Sequence, residues 1–203
     1  MLQKARILFV FAIISIFLFG CWVPEKFQAK VAVNKDGSYT FVYDGILTFA
    51  AVLMAGQGEL SARDEADLKK EAVKIAKEPG FKKVDYLGKG RYKVLVEKIG
   101  KPGEPYYFLS RESQILSILP QKDGTVSVSA IRPDKKAIQE LSSIGVKIDG
   151  TLSVSVASEA KVLKHNAQSQ PKLFGLLGDY KWQIKSPDEN PVIVVQPVPP
   201  VKR

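Results

Sequence analysis

Covalent and acid–base chemistry rests on thiols, imidazoles and paired carboxylates, and this chain holds one cysteine, Cys21, and one histidine, His165. Cys21 stands in an unusual setting, directly behind an apolar run at residues 7–19. A single histidine excludes a histidine-rich metal centre, and a Ser-His-Asp arrangement could use only that residue. No G-x-S-x-G, H-E-x-x-H, phosphate-binding loop or dinucleotide fingerprint occurs in the chain. The acid pairs Asp64/Glu65 and Asp188/Glu189 fall at a helix start and a turn, where solvation accounts for them. His165-Asn166 reads in two ways. It is either a polar contact in a ligand pocket, or a loop histidine bonded to backbone with Asn166 in a left-handed turn. No catalytic constellation assembles, so the expectation is a protein that is not an enzyme and carries no cofactor and no metal.

Lys4 and Arg6 followed by the apolar run have the layout of a secretory signal, which is removed and stands outside the fold. The tetrapeptide Leu18-Phe19-Gly20-Cys21 resembles the lipobox of bacterial lipoproteins. That resemblance implies cleavage between Gly20 and Cys21, a diacylated sulfur, and acylation of the new amine, palmitate included. Phe19 departs from the pattern, because a small or β-branched residue usually sits there. Two other readings remain. Residues 7–23 could be an uncleaved anchor, although a spanning helix needs roughly 20 apolar residues; Cys21 could be a free thiol after cleavage elsewhere. Each of them exports the chain. Trp22 is not the aspartate that, by resemblance to enterobacterial sorting, retains lipoproteins at the inner membrane. The periplasmic face of an outer membrane is therefore favoured over the inner membrane.

The chain has 203 residues, with 30 basic and 21 acidic side chains. Losing the signal removes Lys4 and Arg6 and no acid, which leaves a mature charge of +7. Such a charge suits anionic lipid and is also common in ordinary soluble domains. With no second cysteine, the fold rests on its core alone.

Along the mature chain, Phe27, Ala29, Val31 and Val33 alternate with polar neighbours, and Tyr39, Phe41 and Tyr43 alternate after the turn residues 34–37. This spacing predicts a β-hairpin. Residues 46–55 are almost wholly apolar and read as either a strand extension or a short core helix. Ser61 then resembles an N-cap, with Asp64 and Glu65 near the positive helix end. Leu68, Ala72 and Ile75 form an apolar stripe, and Glu65–Lys69 is spaced as an i,i+4 pair. A second hairpin is predicted around residues 88–90, with Val84, Tyr86, Tyr92, Val94 and Val96 as its core face. Further strands are read at residues 106–110, 115–119 and 126–130. A second helix follows, with the stripe Ala137, Ile138, Leu141 and Ile144 closed by Gly145. Strands at 146–148 and 152–156 flank Asp149-Gly150, read as a turn. Pattern fades over residues 157–179, then returns at Tyr180, Trp182 and Ile184 and at residues 192–195. The fold class expected is α+β: a mainly antiparallel sheet with about two helices packed on one face. The organisation expected is a signal at 1–20, a lipidated tether at 21–26, one domain at 27–196 and a proline-rich tail at 197–203.

Two surfaces invite a partner. The stretch 81–103 carries Lys82, Lys83, Lys89, Arg91, Lys93, Lys98 and Lys101 against Asp85 and Glu97. It could face anionic headgroups, or it could be a solvated edge whose lysines discourage strand-to-strand association. Leu173, Phe174, Leu176 and Leu177 lie in a glycine-jointed loop that could cover a lipid-sized cavity, touch a bilayer, or close the core. The order of short strands, an apolar loop and an alternating strand with Trp182 looks like the mycobacterial LppM-type lipoproteins, which implies an α+β domain associated with envelope lipid. The expected function is that of a membrane-anchored, non-catalytic envelope lipoprotein acting as a lipid- or protein-binding module. The alternative is an envelope enzyme that works on cell-wall or lipid substrates through carboxylates. Nucleic acid is not an expected partner of an exported chain.

Overall fold

Period-two alternation carries this molecule, because a strand with every second side chain apolar buries one face against a second layer, sheet or helix. The computed structural model describes residues 22–50, 52, 60–109, 115–130, 139, 142–143, 145–172, 178–185 and 190–198. The described elements run β1 (Trp22–Val33), β2 (Tyr39–Phe49), α1 (Ala62–Ile75), β3 (Phe81–Gly88), β4 (Arg91–Gly100), β5 (Tyr106–Tyr107), β6 (Leu116–Pro120), β7 (Val126–Ala130), β8 (Asp149–Val156), β9 (Lys161–His165), β10 (Tyr180–Ile184) and β11 (Val192–Gln196). They form a six-stranded sheet in the order β10-β8-β1-β2-β4-β3 and a five-stranded sheet in the order β5-β6-β7-β11-β9.

The two sheets share one core. Ala29, Val31, Val33, Phe41, Tyr43, Val94, Val96, Leu152 and Val154 meet Phe108, Leu116, Ile118, Val126, Val128, Ile193 and Val195. Aromatic contacts join the layers: Phe41 lies 5.3 Å from Tyr106 and 5.1 Å from Phe108, and Tyr43 lies 4.7 Å from Phe108. The architecture is therefore mainly β, with two sheets in place of the expected single sheet. One helix stands among the described elements, not two. Ala137, Ile138, Leu141 and Ile144 of the other expected helix lie outside the described residues, although Gly145 does take a left-handed φ of 75°. Pairing is antiparallel except between β1 and β8, which run parallel with Phe27 opposite Gly150.

Both predicted hairpins form. Residues 34–37 turn β1 into β2, with Gly37 at φ 83°, and residues 88–90 turn β3 into β4. The apolar run from residue 46 divides: it extends β2 to Phe49, Ala50 and Val52 are helical, and residues 51 and 53–55 lie outside the described residues. Helix α1 has the expected cap: Ser61 Oγ accepts from the Asp64 amide while Asp64 accepts from the Ser61 amide, which satisfies two otherwise orphaned donors. Its Glu65 does not pair with Lys69. It accepts instead from Tyr86 Oη at 2.5 Å and the Lys89 amide at 2.9 Å, because the helix lies against β3. Of its apolar stripe only Ala72 is buried, while Leu68 and Ile75 are half-buried.

Asp149-Gly150 is not a turn. It opens β8, and Gly150 supplies room rather than bend: a Cβ there would lie 2.4 Å from the Phe27 ring. That ring also stacks on Tyr43 at 5.6 Å, so it has little freedom to withdraw. Gly150→Ala is expected to destabilise the fold by about 1–3 kcal/mol through overpacking, read as a lower midpoint in urea. An unchanged midpoint would show that the ring can move aside. The fading pattern after residue 157 hides β9, an edge strand whose Val162 is half-buried and whose Leu163 is 51% exposed. Adjacent apolar residues on opposite faces erase the alternation that would have announced it.

Candidate functional site

Helix α1 and the five-stranded sheet both pack on one side of the six-stranded sheet, since Ala72 and Tyr92 join the common core and Tyr92 Oη donates to the Leu68 carbonyl. The opposite side carries the polar half of each alternating strand. Gln183, Thr151, Gln28 and Asp44 lie in register across β10, β8, β1 and β2, and Lys181, Ser153, Lys30 and Val42 form the next row. A cleft of about 410 Å³ opens here, lined by Lys26, Gln28, Asp44, Lys93, Asp149, Thr151 and Gln183, with Phe27 and Gly150 completing it. Its groups are mutually oriented: Thr151 Oγ1 donates to Gln183 Oε1 at 3.2 Å, and Gln183 Nε2 donates to Asp149 Oδ1 at 3.2 Å. Lys93 Nζ lies 2.5 Å from Asp44 Oδ1. Amide, hydroxyl, carboxylate and ammonium groups thus converge on a surface with little apolar lining. Such a surface suits a hydroxyl-rich or zwitterionic partner better than a hydrocarbon chain.

The basic stretch 81–103 is largely neutralised where it stands. Lys83 pairs with Asp85, Arg91 with Glu25, Lys93 with Asp44 and Lys98 with Glu104, all within 2.9 Å. Acids on the same strand, on nearby strands and in the following loop therefore absorb much of the charge that the sequence concentrates here. The groups with displaced titration follow packing and turn chemistry. Burial and the Glu65 carboxylate push Tyr86 up to about 12, burial pushes Tyr39 up to about 12, and hydroxyl and amide donors of Ser38 and Thr125 lower Asp36 and Asp123.

His165 ends β9, where its Nδ1 accepts from the Ala167 amide at 3.2 Å and its ring meets Tyr180 edge-on at 4.7 Å. Asn166 is not in a left-handed turn. Its Oδ1 accepts from Trp182 Nε1 and the Val192 amide, both at 2.9 Å, and its Nδ2 donates to the Asn190 carbonyl at 2.6 Å. One side chain thereby ties β10 of one sheet to β11 of the other. Trp182 is 2% exposed, so Asn166→Ala strands its indole donor and is expected to cost about 1–3 kcal/mol. Asn166→Asp keeps both acceptor bonds and should lose less; equal losses in a thermal melt would contradict the staple.

The remaining expected site residues, Gly20, Cys21, Leu173, Phe174, Leu176 and Leu177, lie outside the described residues, as do Asp188 and Glu189. Sequence reading did not find the cleft. Its one signal was the run of uncharged polar residues at alternate positions of β8, with Gln183 beside them on β10. Among the described residues no group of three or more His, Cys, Asp or Glu side chains is placed to hold a metal ion. No described helix is long and apolar enough to cross a membrane.

The fold defines a two-sheet, mainly β domain with one described helix. No protein-family model and no curated protein sequence matches the chain. Among solved structures it is similar to the NMR structure of the folded domain of the Mycobacterium tuberculosis LppM protein. The two are 12% identical, the match covers 88% of this chain and 93% of that one, and the TM-score is 0.42. A likeness at that level carries no argument about function or site.

Proposed function

We propose that the chain is a lipid-anchored, non-catalytic protein of the bacterial envelope whose six-stranded sheet is a rigid platform for a polar partner. The observation that carries the binding role is the outward cleft at Gln28, Asp44, Thr151 and Gln183, where Thr151, Gln183 and Asp149 are linked by hydrogen bonds and Asp44 pairs with Lys93. The location rests on the residues 7–19 run and the lipobox-like Leu18-Phe19-Gly20-Cys21. The inner face supports a headgroup or protein surface over an enclosed acyl chain, because Phe41, Tyr43 and Phe108 already fill the space between the sheets. The apolar residues Leu173, Phe174, Leu176 and Leu177 enter this reading as an additional lipid contact. The favoured site is the periplasmic face of an outer membrane.

Anchorage is tested with Cys21→Ser, which should abolish palmitate labelling and leave an uncleaved precursor; globomycin should do the same to the wild type. A variant processed and released like the wild type would refute the lipobox reading. Binding is tested by native mass spectrometry of the protein extracted from membranes. A stoichiometric companion lost in Thr151→Tyr, which fills the cleft, supports the platform. A companion lost only in Leu173→Asp/Leu177→Asp moves the site to that loop. The rival carboxylate enzyme would require turnover that survives loss of His165 and dies with one acid.

A further inference from the structure

We infer that the domain sits directly on the membrane surface, held by the end of the six-stranded sheet where β1 begins, with the β3–β4 turn against the headgroups. This rests on the reading that Cys21 carries the lipid. Residues 22–26, expected as a tether, are strand: Trp22 pairs with Phe49 and Val23 with Thr48. One peptide link, about 3.8 Å, therefore separates an acylated Cys21 from the folded sheet. A flexible tether would let the domain tumble, whereas a link of that length fixes which end meets the bilayer.

The groups gathered at that end suit an interface. Trp22 packs on Phe49 at 5.2 Å and on Tyr92 at 5.4 Å, an amphipathic ring at the anchor itself. The Phe49 amide donates to the Gly90 carbonyl, which brings the turn at residues 88–90 level with Trp22. Leu87, just before that turn, is an apolar side chain that is 54% exposed. The nearby carboxylates are consumed internally: Glu65 by Tyr86 and the Lys89 amide, Asp64 by the cap, and Glu25 by Arg91 and Thr48. The Lys89 and Arg63 side chains are exposed at this same end and form no ion pair among the described residues. An exposed leucine flanked by exposed cations is matched by anionic headgroups over a hydrocarbon layer. The turn at residues 34–37 lies at the other end of β1, about 36 Å away for a strand of this length.

Cys21 is the single native cysteine, and acylation blocks its thiol, so an introduced cysteine takes a spin label alone. Full-length lipidated protein carrying Leu87→Cys or Lys35→Cys is placed in vesicles of phosphatidylethanolamine and phosphatidylglycerol. Access of a water-soluble paramagnetic quencher to each label is then measured. Position 87 should be severalfold less accessible than position 35. Inserting 15 Gly/Ser residues between Cys21 and Trp22, a reach of about 20 Å, should bring position 87 to the level of position 35 while the protein stays on the vesicles. Equal access in the uninterrupted chain overturns the seating and leaves the anchor intact. A chain that is unlabelled by palmitate and absent from the vesicles overturns the anchor and the seating together.

Discussion

Phe41→Ala is expected to remove about 3–5 kcal/mol of folding free energy, which is a large part of the roughly 5–15 kcal/mol that a domain of this size holds. Phe41 is wholly buried, and its ring is where the sheets meet, against Tyr106 on β5 and Phe108 just beyond it. Truncation removes the transferred area and opens a cavity that neither sheet can close without breaking the register of β2 with β1 and β4. Urea unfolding followed by circular dichroism should show a lower midpoint at unchanged slope. Phe41→Leu, which retains most of the volume, should lose a fraction of that amount. Equal small losses for the two variants would mean that the inter-sheet layer is loosely packed and that the common core is not one cooperative unit.

Removing the Arg91 side chain should be nearly as damaging, for an electrostatic reason. Glu25 is 8% exposed, and its Oε1 accepts from Arg91 Nε at 2.9 Å and Thr48 Oγ1 at 2.6 Å. Arg91→Leu leaves a carboxylate in a nearly dry site with a single hydroxyl donor, at a cost of about 3–5 kcal/mol. Replacing both partners, Glu25→Gln with Arg91→Leu, should recover much of the loss, because the stranded charge is what is expensive. A double variant no better than Arg91→Leu alone would assign the loss to packing of the arginine stem. The single variant should also speed amide exchange in residues 22–25, since this pair clamps the start of β1 beside its bulge between Pro24 and Phe27. If Cys21 is acylated as proposed, that loosening should blur the orientation of the domain on the membrane.

The features that the sequence determined by itself are local ones. Alternation over Phe27 to Val33 and Tyr39 to Tyr43, with Gly37 free to take positive φ, specifies β1, β2 and their turn within one short window. Ser61 and Asp64 specify the start of α1 in the same way. The lipobox-like Leu18-Phe19-Gly20-Cys21 is a local pattern of the same kind, and it lies outside the described residues. Tertiary structure decided everything that depends on distant partners. Asp149-Gly150 has the composition of a turn, yet it opens a strand because it pairs with Lys26 and Phe27, more than a hundred residues earlier, and the Phe27 ring fills the space where a side chain at 150 would lie. Glu65 has a helical neighbour at the right spacing, yet it serves Tyr86 and Lys89 because β3 lies closer to its carboxylate. Asn166 looks like a loop residue and acts as a staple between sheets, and the cleft exists only because β8 and β10 line up beside β1. Periodicity reports which face of a segment is buried, but which segments meet depends on contacts between residues far apart in the chain, and these leave no mark in any local window.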